Sequence, residues 1–302
     1  MNQTDPLKTQ LPLVAVALGV VGFSLKSILI KLSYADGISS EQLILLRMSL
    51  SAPLFIAALA IALSKNTSRI KLFDMLGIFI ASLLYYLSSV TDMLGLQYVG
   101  VAMERSILFT FPIFTILFSS IIYKTIPSAS IIKATVIAYV GVLLSFISNS
   151  NRIAHSHYGL GIFLIFISAV SYSAYFVCSE KALKNQGSVK FNSCVMILSS
   201  LYAILQYTLS QGEVITKIHS IEQLRFPLLL SVFSTVLPSF FMAYGIKKTS
   251  ASFVSIINNA GPFLTLFFGL FVLDEQVSAF DLIGMGLVVS GIYFTKPTRR
   301  TS

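Results

Sequence analysis

Lys26, Arg47, Glu104 and Arg105 stand inside apolar runs long enough to cross a bilayer, with Lys31 and Asp92 nearer run ends. A charge at mid-bilayer costs at least about 2.5–3.5 kcal/mol on insertion scales. Each of these groups therefore needs an ion-pair partner, a hydrated cavity or a ligand. Two readings stay open: a substrate or proton site, or a structural network pairing Arg47 or Arg105 with Asp92 or Glu104. In the first half of the chain, Lys26, Lys31, Arg47 and Arg105 face only Glu41, Asp92 and Glu104 as anions at similar depth. One cation is left over, and an unpaired buried cation is expensive unless an anion arrives to meet it. The expected ligand is a carboxylate or phosphate held by Arg105 or Arg47, because the planar guanidinium binds such groups bidentately and stays charged.

Polar stripes surround these charges. Arg105, Leu108, Pro112, Thr115 and Ser119 recur on one helical face, and Ser255, Asn258, Pro262, Thr265 and Gly269 repeat the same spacing. Each proline removes a backbone donor, so Pro112 and Pro262 are expected kinks whose freed carbonyls line a cavity. The alternative is that these small residues only permit close packing. Ser82, Tyr85, Ser89 and Asp92 share a second face, Ser168, Tyr172, Tyr175 and Ser179 a third, and Ser24, Ser27 and Lys31 a fourth. Such stripes avoid lipid, so they line a pocket or fill a polar bundle core. Tyrosines favour the pocket, offering apolar area and a hydroxyl together. The candidate substrate-binding set is Lys26, Arg47, Tyr85, Ser89, Asp92, Glu104, Arg105, Thr115, Tyr172, Tyr175, Asn258 and Thr265.

The elements that must position these residues are membrane spans. Of 302 residues, 55% are hydrophobic and 11% charged, against roughly 25% charged in soluble domains. Mean hydropathy is +0.84. Apolar runs of about 17–25 residues match the length of a transmembrane helix and not the short alternating segments of a barrel. Spans are predicted at 11–34, 41–63, 70–91, 98–122, 131–149, 159–180, 191–210, 225–246, 250–273 and 279–295. Tyr34, Tyr98, Tyr123, Tyr158 and Tyr293 near run ends suit interfacial anchoring. Of the 21 basic residues, 14 fall on the side of the termini, three (Arg152, Lys217, Arg225) on the other, and four within spans. That bias predicts cytoplasmic N- and C-termini, and the net charge of +9 reads as a topology signal and not as nucleic-acid binding.

The chain also looks duplicated. At an offset of about 150, Lys31 falls on Lys181, Gly37 on Gly187, Gly95 on Gly245, Pro112 on Pro262 and Gly141 on Gly291. Two repeats, 1–150 and 151–302, of five spans each would be inverted relative to one another, the arrangement that lets a carrier rock about a central site. No GxxxxGK[ST], HExxH or GxSxG occurs, so no ATP-driven pump and no membrane hydrolase is expected. Cys178 and Cys194 lie in apolar runs, and His155, His157 and His219 fall in predicted loops, where solvated histidines outnumber metal ligands. No cofactor and no metal is expected.

GFSLKSILIKLSY with LLRMSLSAP, TDMLGLQYVGVAMERSILFTFP and LDEQVSAFDLIGMGLVVSGIY resemble EamA-type members of the drug/metabolite transporter superfamily. The resemblance spans essentially the whole chain. It implies two inverted five-span repeats, a path lined by spans one, three, four, six, eight and nine, and carriage of amino acids, metabolites or drug-like compounds, often as export. The family's usual Trp early in span one is replaced by Gly22-Phe23-Ser24. With no transit peptide in view, a bacterial cytoplasmic (inner) membrane is expected.

The resulting expectation is an all-α integral membrane protein of about ten spans. It would act as a secondary transporter, an exporter or exchanger, of a small polar or amphipathic, anionic or zwitterionic metabolite by alternating access. Its partners would be that substrate, the bilayer and a coupling ion, with no nucleic acid. The alternative is a non-transporting polytopic subunit or sensor. A central cavity of several hundred Å³ would favour the carrier.

Overall fold

The computed structural model describes residues 6–65, 72–108, 110–124, 157–211, 221–258, 261–273 and 278–293, with isolated helical positions between 133 and 144. In hydrocarbon every backbone group must be satisfied within its own segment, so apolar runs of this length become helices. They are α1 (Pro6–Ser24), α2 (Lys26–Ala35), α3 (Ser40–Lys65), α4 (Leu72–Gly95), α5 (Val101–Leu108), α6 (Phe111–Ile122), α7 (Tyr158–Gln186), α8 (Ser188–Gln211), α9 (Arg225–Ser231), α10 (Leu237–Lys248), α11 (Ala251–Asn258), α12 (Gly261–Val272) and α13 (Ala279–Tyr293). A π-helical turn, Val232–Val236, joins α9 to α10. Among the described residues there is no strand.

Among the described residues, seven segments are long and apolar enough to cross a membrane: Leu11–Ala35, Ser40–Ser64, Asp74–Gly95, Val101–Ile122, Tyr158–Glu180, Ser188–Leu209 and Ile221–Lys248. These match seven of the predicted spans. The span expected at 131–149 lies almost wholly outside the described residues. The one expected at 250–273 falls on α11 and α12, and residues 259 and 260 between them are outside the description. The one expected at 279–295 falls on α13, of which 15 residues are described. Large apolar side chains such as Leu54, Ile56, Phe79, Phe163, Leu205 and Phe271 stay exposed. Lipid accounts for a surface of that kind; water does not.

At the expected kink the helical pattern is interrupted at Thr110, two residues before Pro112. Helix α5 stops at Leu108, the Thr110 amide donates to the Ile107 carbonyl (3.0 Å), and α6 restarts with Pro112 in its first turn. A proline there gives up no intrahelical bond, because first-turn amides have no partner in any case. Pro262 lies 150 residues further on, in α12. The described boundaries keep the same offset: α5 and α11 begin at Val101 and Ala251, and α6 and α12 end at Ile122 and Val272. Gly37 after α2 and Gly187 after α7 adopt φ of 82° and 86°, a left-handed turn that glycine reaches without strain.

Packing is reciprocal between the halves. Helix α7 lies on α4, and α1 lies on α10. Gly95 admits Ile165 of α7, where an added Cβ would stand 2.6 Å from its Cγ1. Its counterpart Gly245 admits Val16 of α1, at 2.3 Å from Cγ2. Helices α3 and α8 pack on each other, and α5 on α7 is matched by α11 on α1. Close approach at small residues is how helices associate where the solvent is itself apolar.

Candidate functional site

The stretches around Phe111 and Gly261 both reach the centre of the bundle. Ser24 Oγ donates to the Gly261 carbonyl (3.0 Å), and Thr265 Oγ1 donates back to the Ser24 carbonyl (3.0 Å). Across the site, Ser173 Oγ donates to the Phe111 carbonyl (2.7 Å). Phe111 and Gly261 are 150 residues apart, so equivalent carbonyls are tied by a serine from the first helix of the opposite half. Between them lies a cavity of about 70 Å³ lined by Val20, Phe23, Ser24, Lys26, Arg47, Tyr85, Ser88, Ser89, Arg105, Leu108, Phe111, Ser168, Tyr172, Asn258 and Gly261. That volume falls below the several hundred Å³ expected of a carrier and below the roughly 300–1,000 Å³ of sites for drug-sized ligands.

Of the candidate residues, Lys26, Arg47, Tyr85, Ser89, Arg105, Tyr172 and Asn258 line the cavity. Asp92, Glu104 and Tyr175 stand immediately behind that wall. Asp92 pairs with Lys26, Glu104 with Arg105, and the Tyr175 ring lies 5.4 Å from Tyr85 and 5.8 Å from Tyr172. Thr115 and Thr265 are buried outside the wall. Each bonds back to its own helix, at Phe111 and Gly261 respectively, and Thr265 also ties down Ser24. A threonine hydroxyl in an apolar helix finds that carbonyl first, so a polar stripe does not by itself mark the cavity side. Phe23, Phe111, Tyr85 and Tyr172 build an aromatic wall, with Tyr172 at 5.6 Å from Phe111 and 6.4 Å from Phe23.

The charges divide into three arrangements. Lys26 and Asp92 form a close ion pair between α2 and α4. Arg105 Nε lies 3.2 Å from Glu104 Oε2, which also accepts from Ser27 Oγ (3.0 Å). Arg105 Nη2 donates to Ser27 Oγ and to the Phe23 carbonyl (3.1 Å). Arg47 differs. It is 1% exposed, its Nε donates to Thr235 Oγ1 (2.7 Å) and its Nη2 to Tyr85 Oη (3.0 Å), both neutral oxygens. Its Nη1 has no hydrogen-bond partner, and among the described residues no carboxylate lies within ion-pair distance of it. The pairing of Arg47 with Asp92 or Glu104 considered from sequence is therefore absent: Lys26 takes Asp92 and Arg105 takes Glu104.

Thr235 was not among the sequence candidates. It sits in the π turn, whose extra residue lets its hydroxyl donate to Leu230 five positions back (3.0 Å) while accepting from Arg47. Proline 238 just downstream was the available signal, since a proline two to three residues on disturbs the preceding turn. Ser88 was also missed. Its hydroxyl pairs with Ser168 at 3.0 Å across α4 and α7.

Comparison with known proteins agrees with this architecture. The EamA-like transporter family matches the chain twice, over residues 10–147 and 159–296. "Uncharacterized transporter YcbK" of Bacillus subtilis is 27% identical over 92% of this chain and 91% of its own. An "Uncharacterized transporter" of Archaeoglobus fulgidus is 28% identical over 66% of this chain and 69% of its own. A protein of known crystal structure aligns over 93% of this chain and 97% of its own, with a TM-score of 0.65 at 16% identity, which shows a shared fold.

Proposed function

The chain belongs to the EamA-like transporter family, and from that premise we propose that it carries a small metabolite bearing a carboxylate or phosphate, held at Arg47, across a cell (inner) membrane. The observation behind the substrate class is the buried Arg47 guanidinium, which borders the cavity with one nitrogen unbonded and no carboxylate beside it. An arriving anion would complete it bidentately. The aromatic wall suits an apolar body next to that head group.

Alternating access of two inverted five-span repeats, 1–150 and 151–302, is the mechanism proposed. Reciprocal packing of α7 on α4 and α1 on α10 supports it. Two such halves can rock against each other while the site stays central. The small cavity then corresponds to a constricted conformer, admitting a head group until one side widens. Export or exchange is the direction the family resemblance implies. The same small cavity favours the second reading, a polytopic subunit that transports nothing.

A counterflow screen in proteoliposomes separates these. Matched carboxylates and their primary amides are offered against a labelled carboxylate pool. The expected result is exchange by carboxylates, with the amides at least tenfold weaker, a gap of about 1.4 kcal/mol. Equal competition by amides sinks the anionic site, and no exchange by any compound supports the non-transporting reading.

Orientation is a separate expectation. With the basic loops in the cytoplasm, a reporter fused after Ser302 reads as cytoplasmic, and one inserted after Gln211 reads as external. The opposite pattern reverses the proposed topology.

A further inference from the structure

Behind the cavity wall lies a second set of groups that anion binding alone does not use. Lys26 and Arg105 face the cavity, while Asp92 and Glu104, both fully buried, sit behind them. Among the described residues, each carboxylate keeps one oxygen, Asp92 Oδ1 and Glu104 Oε1, without a hydrogen-bond partner. An anion held at Arg47 shares the cavity with Lys26 and Arg105 and competes with these carboxylates for them. The two ion pairs are unequally made. Lys26 and Asp92 join different helices through a close hydrogen-bonded contact. Glu104 and Arg105 are neighbours on one short helix, and the 3.2 Å approach of Nε to Oε2 leaves Nε without hydrogen-bond geometry. Glu104 is the less firmly held.

We propose that Glu104 is a proton-binding site coupled to the substrate anion: an anion that draws the Arg105 guanidinium away leaves Glu104 beside only Lys26, whose charge Asp92 already takes, and Glu104 then takes up one proton. This rests on the anionic reading of the cavity. The physical reason is that a fully buried carboxylate stripped of its cation is far more costly than the neutral acid. Ser27 accommodates the change, since its hydroxyl already reaches Oε2 and can accept from a protonated acid as readily as it donates to an ionised one. The groups facing Glu104 are Arg105 from its own helix, Lys26 and Ser27 from α2, and Asp92 from α4. Helices α7, α12 and α13 also pack on α5 but present no charged group to it among the described residues.

The proton comes from water on the side to which the cavity opens. It leaves on the other side with the anion, after which Arg105 pairs with Glu104 again. Lys26, Asp92, Arg105 and Glu104 sum to zero formal charge, so a monoanion and its proton cross together with no net charge moved by this cluster. Proton and substrate travel in the same direction.

The test uses benzenesulfonate and methanesulfonate as probes, because strong acids stay ionised throughout and any pH dependence belongs to the protein. Binding to the full-length protein in nanodiscs is measured from pH 5 to 9. Linkage of one proton per anion makes the apparent Kd rise about tenfold per pH unit above the Glu104 midpoint. Glu104→Gln, which imitates the protonated acid, is expected to bind at least as tightly as the low-pH wild type and to lose the slope. Glu104→Asp keeps the slope with a displaced midpoint, and it serves if the glutamine variant does not fold. A flat wild-type profile with intact binding overturns the proton site and leaves the anion site standing. A slope that survives Glu104→Gln overturns the assignment to Glu104. No binding of either sulfonate at any pH, together with a failed carboxylate screen, overturns the anion reading and this inference with it.

Discussion

Replacing Arg47 with methionine is expected to raise the unfolding temperature of the purified protein by several degrees while lowering anion exchange at least a hundredfold. The two effects have one cause. Arg47 is 1% exposed and, among the described residues, is held by the neutral oxygens of Thr235 and Tyr85, with Nη1 unbonded. Desolvating a cation costs several kcal/mol, and without a carboxylate beside it little is returned. Methionine fills similar unbranched space and needs no partner. The bonds lost are modest: Thr235 keeps its own donation to Leu230, and the Tyr85 hydroxyl borders the cavity, where water can reach it. Replacing buried charge with apolar volume elsewhere stabilises by about 1–4 kcal/mol. The anion, by contrast, loses its charged partner, which is worth about 2–5 kcal/mol at a desolvated site. A stability gained by disabling the site is the usual relation between function and folding at a strained position. Scanning fluorimetry and counterflow on the same preparation check both halves. A lower melting temperature with exchange intact would make Arg47 a structural residue.

The charged part of this candidate site is legible in the sequence, and for a definite reason. Charge is so costly in hydrocarbon that Lys26, Arg47, Asp92, Glu104 and Arg105 announce themselves by type alone, and counting them yields the surplus cation. Which cation is in surplus was not legible. That depends on helix rotation, which brings Lys26 and not an arginine to Asp92. Of the stripe residues, Tyr85, Ser89, Tyr172 and Asn258 line the cavity, and Thr115 and Thr265 lie outside its wall. A hydroxyl that satisfies its own backbone four residues back carries no information about which face is wet.

Fold was legible in the same uneven way. Run length marks the helices, and the offset of 150 relates the starts of α5 and α11 and the ends of α6 and α12. Proline was read as a bend where the chain makes a stop and restart, because Pro112 can occupy a first turn as comfortably as it distorts a middle one. The π turn at Val232–Val236 had no reading at all. Its hydrophobic pattern is that of an ordinary helix, and only the hydrogen-bond register shows the extra residue that aims Thr235 at Arg47.

That π turn is held from behind, and the residue holding it is Gly22. A Cβ built on Gly22 would lie 2.4 Å from Pro238 Cγ and 2.5 Å from the Phe233 carbonyl oxygen. Neither atom is the end of a flexible side chain. The first belongs to a ring fixed in the opening turn of α10, and the second is backbone within the π turn itself. Gly22→Val is therefore expected to destabilise the protein by about 3 kcal/mol or more, at the upper end of overpacking substitutions. Displacing the Phe233 carbonyl would also move Thr235, two residues on, away from Arg47, so anion affinity should fall in whatever protein survives. The result needs separating from the general effect of adding a side chain to a helical glycine. Gly77→Ala supplies that control: its Cβ would meet only Ala182 Cβ at 3.9 Å, an ordinary contact. Helix propensity alone then predicts a neutral to stabilising change of up to about 1 kcal/mol. Thermal melts of the two variants beside the wild type, with anion binding measured on each, decide it. A Gly22→Val protein as stable as Gly77→Ala would mean that α1 does not seat against the π turn.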